Sequence, residues 1–480
     1  MLLTIVKYSM NLTSDHHETV FINTKDTPEN LVNDTPKKTK KPYGLTGIIN
    51  TSNTCYMNSA IQALSHNYPL TSYLFGKKAE VLNTLKKNAG KILKDSQSFK
   101  LDCTYSIVPM ELRQKIQDPN YSPQMLTDED LNIVFNHTIT AQLIKLLEHM
   151  WSKNSSVIPT SFRRVFSEAR DKFFFGNEQH DAEEAYSCIL QKMQEELAEE
   201  KNVKFKTTKQ SVQDFIQFKT LINEKIKATT NLDEKKNLLD IYHQKKREMP
   251  IESLTTEAFR EMRKYYGTSY SRVTEIFSGF LHSCMRCPNE QCGFSSNKFD
   301  PFLHLSLEMP NKILMPGQNI MIDECIKDFC KEEALDEKNL WHCEGCGNKV
   351  RGVKSLRLWT APPVLVIQFK RFKQYGSGRV VKDSRLVKYP LEHFDISSMI
   401  SPCQLDTSKC NTYRLQCVVN HTGVRDGGHY YTYCLEEDTN QWYEFNDIDV
   451  ARLGDINKIV TNNAYLLFYT REDMITKANY

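Results

Sequence analysis

Cys55 is the first residue in the chain whose surroundings point to chemistry. The apolar residues after it recur at i, i+3, i+4 and i+7, which predicts a helix that begins at or near the cysteine, with Asn53 and Thr54 as candidate caps. These apolar residues are Met57, Ala60, Ile61 and Leu64. A thiol in the first turn of a helix faces unpaired N–H groups and the positive end of the helix dipole, and both lower its pKa. The pattern therefore predicts a reactive thiol, although a small buried core residue is the commoner use of cysteine.

A candidate base lies near the other end of the chain. His429 follows Gly427 and Gly428 at the start of a predicted strand, and the two glycines leave room for an extended, small-residue peptide. We expect His429 to take the Cys55 proton as a general base, or to form an ion pair with it. Asn446, just after the next predicted strand, can hold one imidazole nitrogen and turn the other towards the sulfur. The three residues together predict nucleophilic catalysis.

Cysteines at metal-binding spacing form a second kind of site. Cys343 and Cys346 lie in a Cys-Glu-Gly-Cys-Gly knuckle, where two thiolates can bind one tetrahedral zinc ion. A second pair is needed, and its candidates are Cys284, Cys287 and Cys292. Literal spacing favours Cys284 with Cys287. Because four thiolates leave no open coordination position, the predicted zinc is structural.

The elements that must position these residues change type along the chain. Helical spacing dominates the first half, whereas apolar and polar residues alternate at 302–307, and a nearly continuous apolar run fills 364–369. Further strands are predicted at 413–419, 429–435, 441–445 and 464–469. A helical first half and a strand-rich second half predict an α+β fold.

Three segments fall outside this pattern. Residues 1–43 are polar and include a Lys-rich stretch, which predicts a flexible tail. Residues 77–135 are mixed, Lys-rich and punctuated by proline, and are predicted to form an insertion or peripheral lobe. Residues 198–265 carry apolar side chains at helical spacing among Lys and Glu, which predicts a solvated helical hairpin. We expect 44–475 to form one domain that contains both insertions.

The composition narrows the partners. The 62 Lys and Arg against 59 Asp and Glu leave a net charge of +3, too little to predict a nucleic-acid or membrane partner. No apolar run reaches the roughly 18 to 20 residues of a membrane span, and the first residues lack the pattern of a signal peptide. We therefore expect an intracellular protein, cytoplasmic or nuclear, with its 14 cysteines reduced or metal-bound. We also expect a monomer.

Several motifs in order resemble those of the ubiquitin-specific proteases. Residues 44–58 closely resemble the Cys box of that family, and 428–430 with 442–447 resemble its His box. Between them, 178–184 is similar to the family segment Gln-Gln-Asp-Ala-His-Glu-Phe, and 364–372 is similar to an internal strand before a Lys-Arg-Phe turn. The resemblance implies a papain-like hand of thumb, palm and zinc-containing fingers. It also implies a thiol protease, a ubiquitinyl hydrolase acting on ubiquitin conjugates or polyubiquitin.

The resemblance implies a role for individual residues. Cys55 would be the nucleophile, His429 the base and Asn446 the residue that orients the imidazole. Asn50 matches the amide of the oxyanion hole, which stabilises the tetrahedral intermediate. Asp447 would contact the imidazole or the oxyanion system.

Four further residues would meet the substrate. Asp181 matches an acidic position that engages the Arg-rich tail of ubiquitin, and Gln179 lies in the same segment. Gly427 and Gly428 would border the channel through which the terminal Gly-Gly passes. The bond cleaved would be the peptide or isopeptide bond after that last glycine.

The flanks of the cysteines also resemble the family's fingers. By these flanks Cys287 and Cys292 take the ligand places beside Cys343 and Cys346, with a two-residue insertion between the first two. The set with Cys284 stays an alternative, and so does a vestigial site without metal. Zinc is the expected ion.

The sequence departs from the family pattern near the site. Thr51 and Ser52 stand where Leu-Gly is usual, His180 replaces a Gln, Glu183 a His and Ala185 a Phe. Because every element of the triad is retained, an active enzyme is expected rather than a silent ubiquitin-binding scaffold. Another ubiquitin-like modifier with the same Gly-Gly tail is the alternative substrate.

Overall fold

The structure is a computed structural model that describes most of the chain after residue 43. The described residues are 4–6, 19–23, 44–169, 173–174, 176–376, 379–404, 410–424 and 427–475. The predicted flexible tail, 1–43, lies outside the described residues except for two short strands. Its flexibility therefore stays a prediction.

Of the described α-helices, all but one end before residue 280. They are α1 Cys55–Ser65, α2 Tyr68–Gly76, α3 Lys78–Ile92, α4 Met110–Gln117, α5 Asp128–Asn136, α6 Ile139–Ser152, α7 Thr160–Glu168, α8 Ala182–Glu196, α9 Gln210–Ala228, α10 Leu232–Glu248, α11 Pro250–Ser269, α12 Arg272–Phe277 and α13 Ile322–Phe329. None of these helices has the length and apolar character that a bilayer-spanning segment requires.

Most strands lie in the second half. They are β1 Thr4–Val6, β2 Thr19–Asn23, β3 Gly47–Ile48, β4 Ser156–Val157, β5 Asn202–Lys206, β6 Gly279–Arg286, β7 Ser295–Phe302, β8 Leu305–Glu308, β9 Ile320–Met321, β10 Glu333–Ala334, β11 Trp341–His342, β12 Lys349–Val350, β13 Val353–Thr360, β14 Val364–Lys370, β15 Phe372–Tyr375, β16 Arg379–Lys382, β17 Val387–Lys388, β18 Phe394–Asp395, β19 Thr412–Thr422, β20 His429–Glu436, β21 Gln441–Asn446, β22 Asp449–Arg452 and β23 Ala464–Arg471. The predicted α+β class is confirmed.

A large sheet forms the centre of the molecule. Its strands run in the order β22-β21-β20-β19-β23-β14-β8, with β18 beside β19, and the pair β14–β8 is parallel. The strand β14 alternates between two apolar clusters: Val364 and Val366 belong to one, Leu365 and Ile367 to the other. Because both faces are covered, the strand reads as a continuous apolar run in the sequence.

Helix α1 runs along β20 in the same direction. The Oγ1 of Thr432 donates to the carbonyl oxygen of Ser59 at 3.1 Å, and two residues further along the strand the Sγ of Cys434 donates to that of Gln62 at 3.7 Å. All residues of α1 are buried. This parallel alignment brings Cys55, the first residue of the helix, and His429, the first residue of the strand, to the same edge of the large sheet, which we call the palm.

A smaller sheet of order β10-β13-β6-β7 forms the fingers. Strands β6 and β7 pair antiparallel from Gly279 opposite Phe302 to Arg286 opposite Ser295, so residues 287–294 form the connection at their tip. The short hairpin β11–β12 carries the connection at 343–348. The architecture therefore presents two turns that contain the predicted metal ligands.

The two predicted insertions are mostly helical. Residues 77–135 contain α3, α4 and α5 and have an apolar cluster of their own. Residues 198–265 contain β5, α9, α10 and most of α11, and Val212, Phe215 and Ile222 lie on the buried face of α9, as their helical spacing predicts. The predicted hairpin corresponds to α9 and α10. A third helix, α11, packs against both of them and against β7 of the fingers.

Candidate active site

Cys55 is the first residue of α1, as predicted, and its side chain is only 3% exposed. Thr54 occupies the N-cap position, but neither it nor Asn53 makes a side-chain capping bond to the helix. Burial raises the pKa of the Cys55 thiol above its usual value, while the N–H of Tyr430 opposes this and the charge of Asp447 adds to it. The predicted fall in this pKa is wrong, because tertiary burial outweighs the helix start.

His429 is held by Asn446. The Nε2 of His429 lies 2.7 Å from Oδ1 of Asn446, the last residue of β21. Since Nε2 is occupied as a donor to this amide oxygen, Nδ1 is the nitrogen left to accept a proton. The arrangement is the one expected of an orienting amide in a Cys-His-Asn triad.

The imidazole and the thiol lie at the same end of α1 and β20. The backbone of Tyr430, the residue after His429, lies close enough to the Cys55 sulfur to oppose the rise in its pKa. Among the described residues, the His429 ring and Cys55 are not themselves joined by a hydrogen bond. Such contacts in cysteine and serine enzymes often tighten only when substrate binds.

Asn50, five residues before Cys55 in the sequence, is hydrogen-bonded to Asp447. The Nδ2 of Asn50 donates to Oδ2 of Asp447 at 3.0 Å, and Nδ2 of Asn58 donates to Oδ1 of the same carboxylate at 2.8 Å. The N–H of Ile48 also donates to the carbonyl oxygen of Asp447 at 2.8 Å. Asp447 thus contacts the predicted oxyanion amide, and among the described residues the second hydrogen of that amide makes no hydrogen bond.

Gly428, directly before His429, allows a close approach of the backbone to another histidine. A Cβ at Gly428 would lie 2.0 Å from Nε2 of His421, so this position accepts only glycine. His421 is buried, and burial with the nearby charge of Lys382 lowers its pKa to about 4. The His421 side chain is therefore uncharged at neutral pH and packs directly against the loop at Gly428.

Gln179, which lies just before α8 in the helical part of the molecule that we call the thumb, binds the same loop. Its Nε2 donates to the carbonyl oxygen of Gly428 at 3.0 Å, and its Oε1 accepts from the N–H of Gly428 at 3.2 Å. The side chain is thus engaged with the protein backbone next to His429. Its predicted contact with substrate stays a prediction.

Asp181 caps α8 and borders a cleft of about 780 Å³. Its Oδ1 accepts from the N–H of Glu183 at 2.8 Å, and its Oδ2 accepts from the hydroxyl of Tyr465. Burial raises the pKa of Asp181 to about 6, although the bond from Tyr465 opposes this. Gln368 donates to the Tyr465 hydroxyl at 2.7 Å and lines the same cleft.

Two residues that differ from the family pattern, His180 and Glu183, contact neighbouring side chains. His180 packs its ring 5.2 Å from that of Tyr56 and 5.1 Å from that of Phe174. Glu183 lies 3.3 Å from Nδ1 of His304. These side chains are accommodated in the thumb and lie outside the triad.

Four cysteine sulfurs converge at the tip of the fingers. The Sγ atoms of Cys287, Cys292, Cys343 and Cys346 all lie within 4.8 Å of one another, and those of Cys292 and Cys343 are 3.6 Å apart. Four thiolates around one tetrahedral ion at ~2.3 Å would have similar spacing. Cys284 instead lies inside β6, opposite Ser355 of β13, outside this group.

Two residues near the site are not marked as functional by the sequence. Asn58, which donates to Asp447, stands in the same helix as Cys55 and was visible only as part of the Cys box. Arg163 on α7 donates a hydrogen bond to Thr51 in the loop before Cys55, and no sequence pattern around Arg163 predicts this contact.

The chain matches a known family model over nearly its whole length. Residues 46–469 match the model described as ubiquitin carboxyl-terminal hydrolase. A probable ubiquitin carboxyl-terminal hydrolase of Acanthamoeba polyphaga mimivirus is 51% identical over 461 residues, 96% of this chain and 97% of that protein. Human ubiquitin carboxyl-terminal hydrolase 2 is 26% identical over 90% of this chain, which spans 56% of that protein.

Solved structures give the same fold. A structure of the yeast SAGA DUBm aligns with a TM-score of 0.55 and 21% identity over 92% of this chain and 73% of its own. The SAGA Ubp8/Sgf11/Sus1/Sgf73 DUB module bound to ubiquitin aldehyde aligns with a TM-score of 0.54 and 20% identity, over 92% of this chain and 74% of its own. Because the family model covers most of the chain and the viral relative is alike from end to end, the chain belongs to the ubiquitin carboxyl-terminal hydrolase family, as a deubiquitinating thiol protease of the ubiquitin-specific type.

Proposed function

We propose that this enzyme cleaves the peptide or isopeptide bond after the C-terminal glycine of ubiquitin, with Cys55 as nucleophile. The observation that carries the assignment is that Asn446 orients His429, the first residue of β20, while Cys55 is the first residue of the helix that runs along this strand. A neutral His429, with Nε2 bonded to Asn446, presents Nδ1 as the base.

In the first step Nδ1 of His429 accepts the Cys55 proton as the sulfur attacks the glycine carbonyl. Burial raises the pKa of the Cys55 thiol, so this thiol needs a base to become a nucleophile. The imidazolium then protonates the leaving amine, and a thioester remains on Cys55. Water, deprotonated by His429, attacks the thioester carbonyl and releases ubiquitin, and the imidazolium returns its proton to the Cys55 sulfur that leaves.

The negative charge on the tetrahedral intermediate needs donors in place beforehand. Asn50 is assigned this role, since its Nδ2 is aimed by Asp447 and keeps one free hydrogen. Asp447 is therefore assigned to holding Asn50 and Asn58 rather than to the imidazole.

The ubiquitin tail is proposed to lie between the thumb and the palm. Asp181 at the cleft provides a carboxylate for an Arg-rich tail, and the loop of Gly427 and Gly428 leaves space for its small residues beside His429. Gln179 holds that loop through its two bonds to Gly428.

We assign a structural zinc ion to the fingers. Cys287, Cys292, Cys343 and Cys346 would hold it, because their sulfurs are close enough to share one ion and are the ligands that zinc prefers. The ion would tie the two finger turns together and take no part in the reaction. Monomeric state, intracellular location and the lack of a nucleic-acid or membrane partner stay predictions.

A ubiquitin with a C-terminal electrophile tests the proposal. The native chain is expected to form a covalent adduct, and Cys55→Ala is expected to form none. The same probe built on another modifier with a Gly-Gly tail serves as the specificity control. No adduct with ubiquitin, or an adduct that survives Cys55→Ala, would rule out the assignment.

A further inference from the structure

The loop that leads into Cys55 has a strained backbone. Ser52 has a φ of +140° and Asn53 a φ of +50°. Asparagine tolerates positive φ, whereas serine adopts it far less readily, because its Cβ then meets the backbone. Such a conformation persists only where the surrounding contacts impose it.

Arg163 supplies such contacts. Its Nη1 donates to the carbonyl oxygen of Thr51 at 3.1 Å and to Oγ1 of Thr51 at 2.6 Å. Its Nη2 donates to the carbonyl oxygen of Gly176 and to Oδ1 of Asn177, both at 3.3 Å. Asn53 completes the bridge, because its Nδ2 donates to the carbonyl oxygen of Asn177 at 2.8 Å. The guanidinium thus ties the loop to the chain at 176–177.

The same loop sets the direction of the Asn50 amide. Oδ1 of Asn50 accepts from the N–H of Ser52 at 3.2 Å, from the N–H of Thr54 at 3.0 Å and from the Thr54 hydroxyl at 3.2 Å. These donors fix the oxygen end of the amide in the loop, so its nitrogen end faces Asp447 and the reaction centre. A loop that relaxed at Ser52 would lose these donors.

We propose that Arg163 is a positioning residue for the hydrolase reaction, which holds residues 51–54 in their strained form and so keeps Asn50 aimed at the oxyanion. The inference rests on the proposed function, in which Asn50 stabilises that oxyanion. Thr51 stands where the family usually has leucine, and a leucine could not accept the bond that Oγ1 of Thr51 accepts. The bond from Arg163 to Oγ1 of Thr51 is thus particular to this loop sequence, whereas the bond to the Thr51 carbonyl oxygen does not depend on the side chain.

The variant Arg163→Lys tests the role, because lysine keeps the charge and loses the planar fork. With a fluorogenic C-terminal amide of ubiquitin, we expect kcat to fall roughly tenfold to a hundredfold and KM to change by less than about twofold. Alkylation of Cys55 by iodoacetamide forms no oxyanion and is expected to keep its native rate. The matched control is Arg164→Lys, since Arg164 on the same helix bonds to Asn136 instead. This control is expected to have native kinetics.

Two further variants separate positioning from a loss of folding. Thr51→Val removes one of the two bonds without changing Arg163, and is expected to lower kcat in the same direction by a smaller factor. Ser52→Gly relieves the backbone, so in the Arg163→Lys chain it is expected to recover about threefold or more in kcat. In the native chain it is expected to change kcat by less than about twofold.

The outcomes are distinguishable from failure of the proposed function. A native chain that does not turn over the ubiquitin amide overturns the proposed function and this role with it. Native turnover with an unchanged kcat in Arg163→Lys overturns the role alone. The role is also overturned if alkylation slows as much as turnover, if Thr51→Val has the native kcat, or if Ser52→Gly recovers nothing.

Discussion

Asn446 and Asp447, consecutive residues at the end of β21, support the two halves of the reaction centre. Asn446 accepts a hydrogen bond from Nε2 of His429 at 2.7 Å, while Asp447 accepts from Asn50 at 3.0 Å. Asp447 has a φ of +51°, and this left-handed turn ends the strand and points its carboxylate at the Cys55 loop. One chain segment therefore sets both the base and the oxyanion amide.

The first expectation concerns Asn446. Replacing it with alanine frees Nε2, so the imidazole loses its orientation and its preferred tautomer, and kcat/KM is expected to fall on the order of a hundredfold. Asn446→Asp keeps an acceptor and should lose less. Steady-state hydrolysis of a ubiquitin amide measures both, and Gln441→Ala, at the other end of β21, is the control. Native kcat/KM in Asn446→Ala would contradict the role of this amide.

The second expectation is a pH dependence of substrate binding through Asp181. Its pKa of about 6 lies above the usual value because of burial, so the carboxyl becomes neutral as the pH falls through 6. A neutral group no longer attracts a cationic tail. KM for the ubiquitin amide is therefore expected to rise several-fold from about pH 7 to about pH 5.

Asp181→Asn gives the matched comparison. Asparagine still caps α8, so the fold is retained, but the charge is absent at every pH. Its KM is expected to be high throughout and to lack the rise that the native chain shows. A native KM that is flat across this range, or the same rise in Asp181→Asn, would remove Asp181 from tail binding.

Local sequence was enough for the parts of the site that depend on local structure. The apolar spacing after Cys55 predicts the helix α1, and the strand predicted at 429–435 is observed as β20. Literal spacing favours Cys284 as a metal ligand, and the choice of Cys292 comes instead from the resemblance of the flanking residues to the family's fingers. In the structure the two finger turns meet, and Cys284 remains inside a strand.

Properties set by tertiary packing could not be found in this way. The helix dipole predicts a lowered pKa for the Cys55 thiol, but burial of this residue raises it, and burial at a position depends on the whole fold. Arg163 comes from a helix more than a hundred residues away from Thr51, and nothing near it in sequence marks it as a partner of the loop. The sequence also does not predict the left-handed turn at Asp447, which determines what its carboxylate contacts.

The third expectation separates the metal ligands from the other finger cysteine. Cys346→Ser removes one of four sulfurs, so the purified chain is expected to lose its zinc and to unfold at a lower temperature. Cys284→Ser is the matched control and is expected to keep a single zinc ion and the native melting temperature. Elemental analysis with thermal melts measures both. Equal zinc loss in the two variants, or a native chain without zinc, would contradict the assignment.

The last expectation concerns the free energy stored at Ser52. Its side chain is exposed, so Ser52→Gly removes no packing, and it relieves a φ of +140° that glycine adopts freely. The strain relieved is ~1–3 kcal/mol and the added freedom of the unfolded chain offsets ~0.5–1 kcal/mol, so the free energy of unfolding is expected to rise by about 1 kcal/mol. Urea unfolding measures this change, and Ser96→Gly is the control, because Ser96 has an ordinary φ of −65°. There glycine only adds freedom to the unfolded chain, so stability is expected to fall. If Ser52→Gly lowers stability as Ser96→Gly does, the loop before Cys55 holds no strain for Arg163 to maintain.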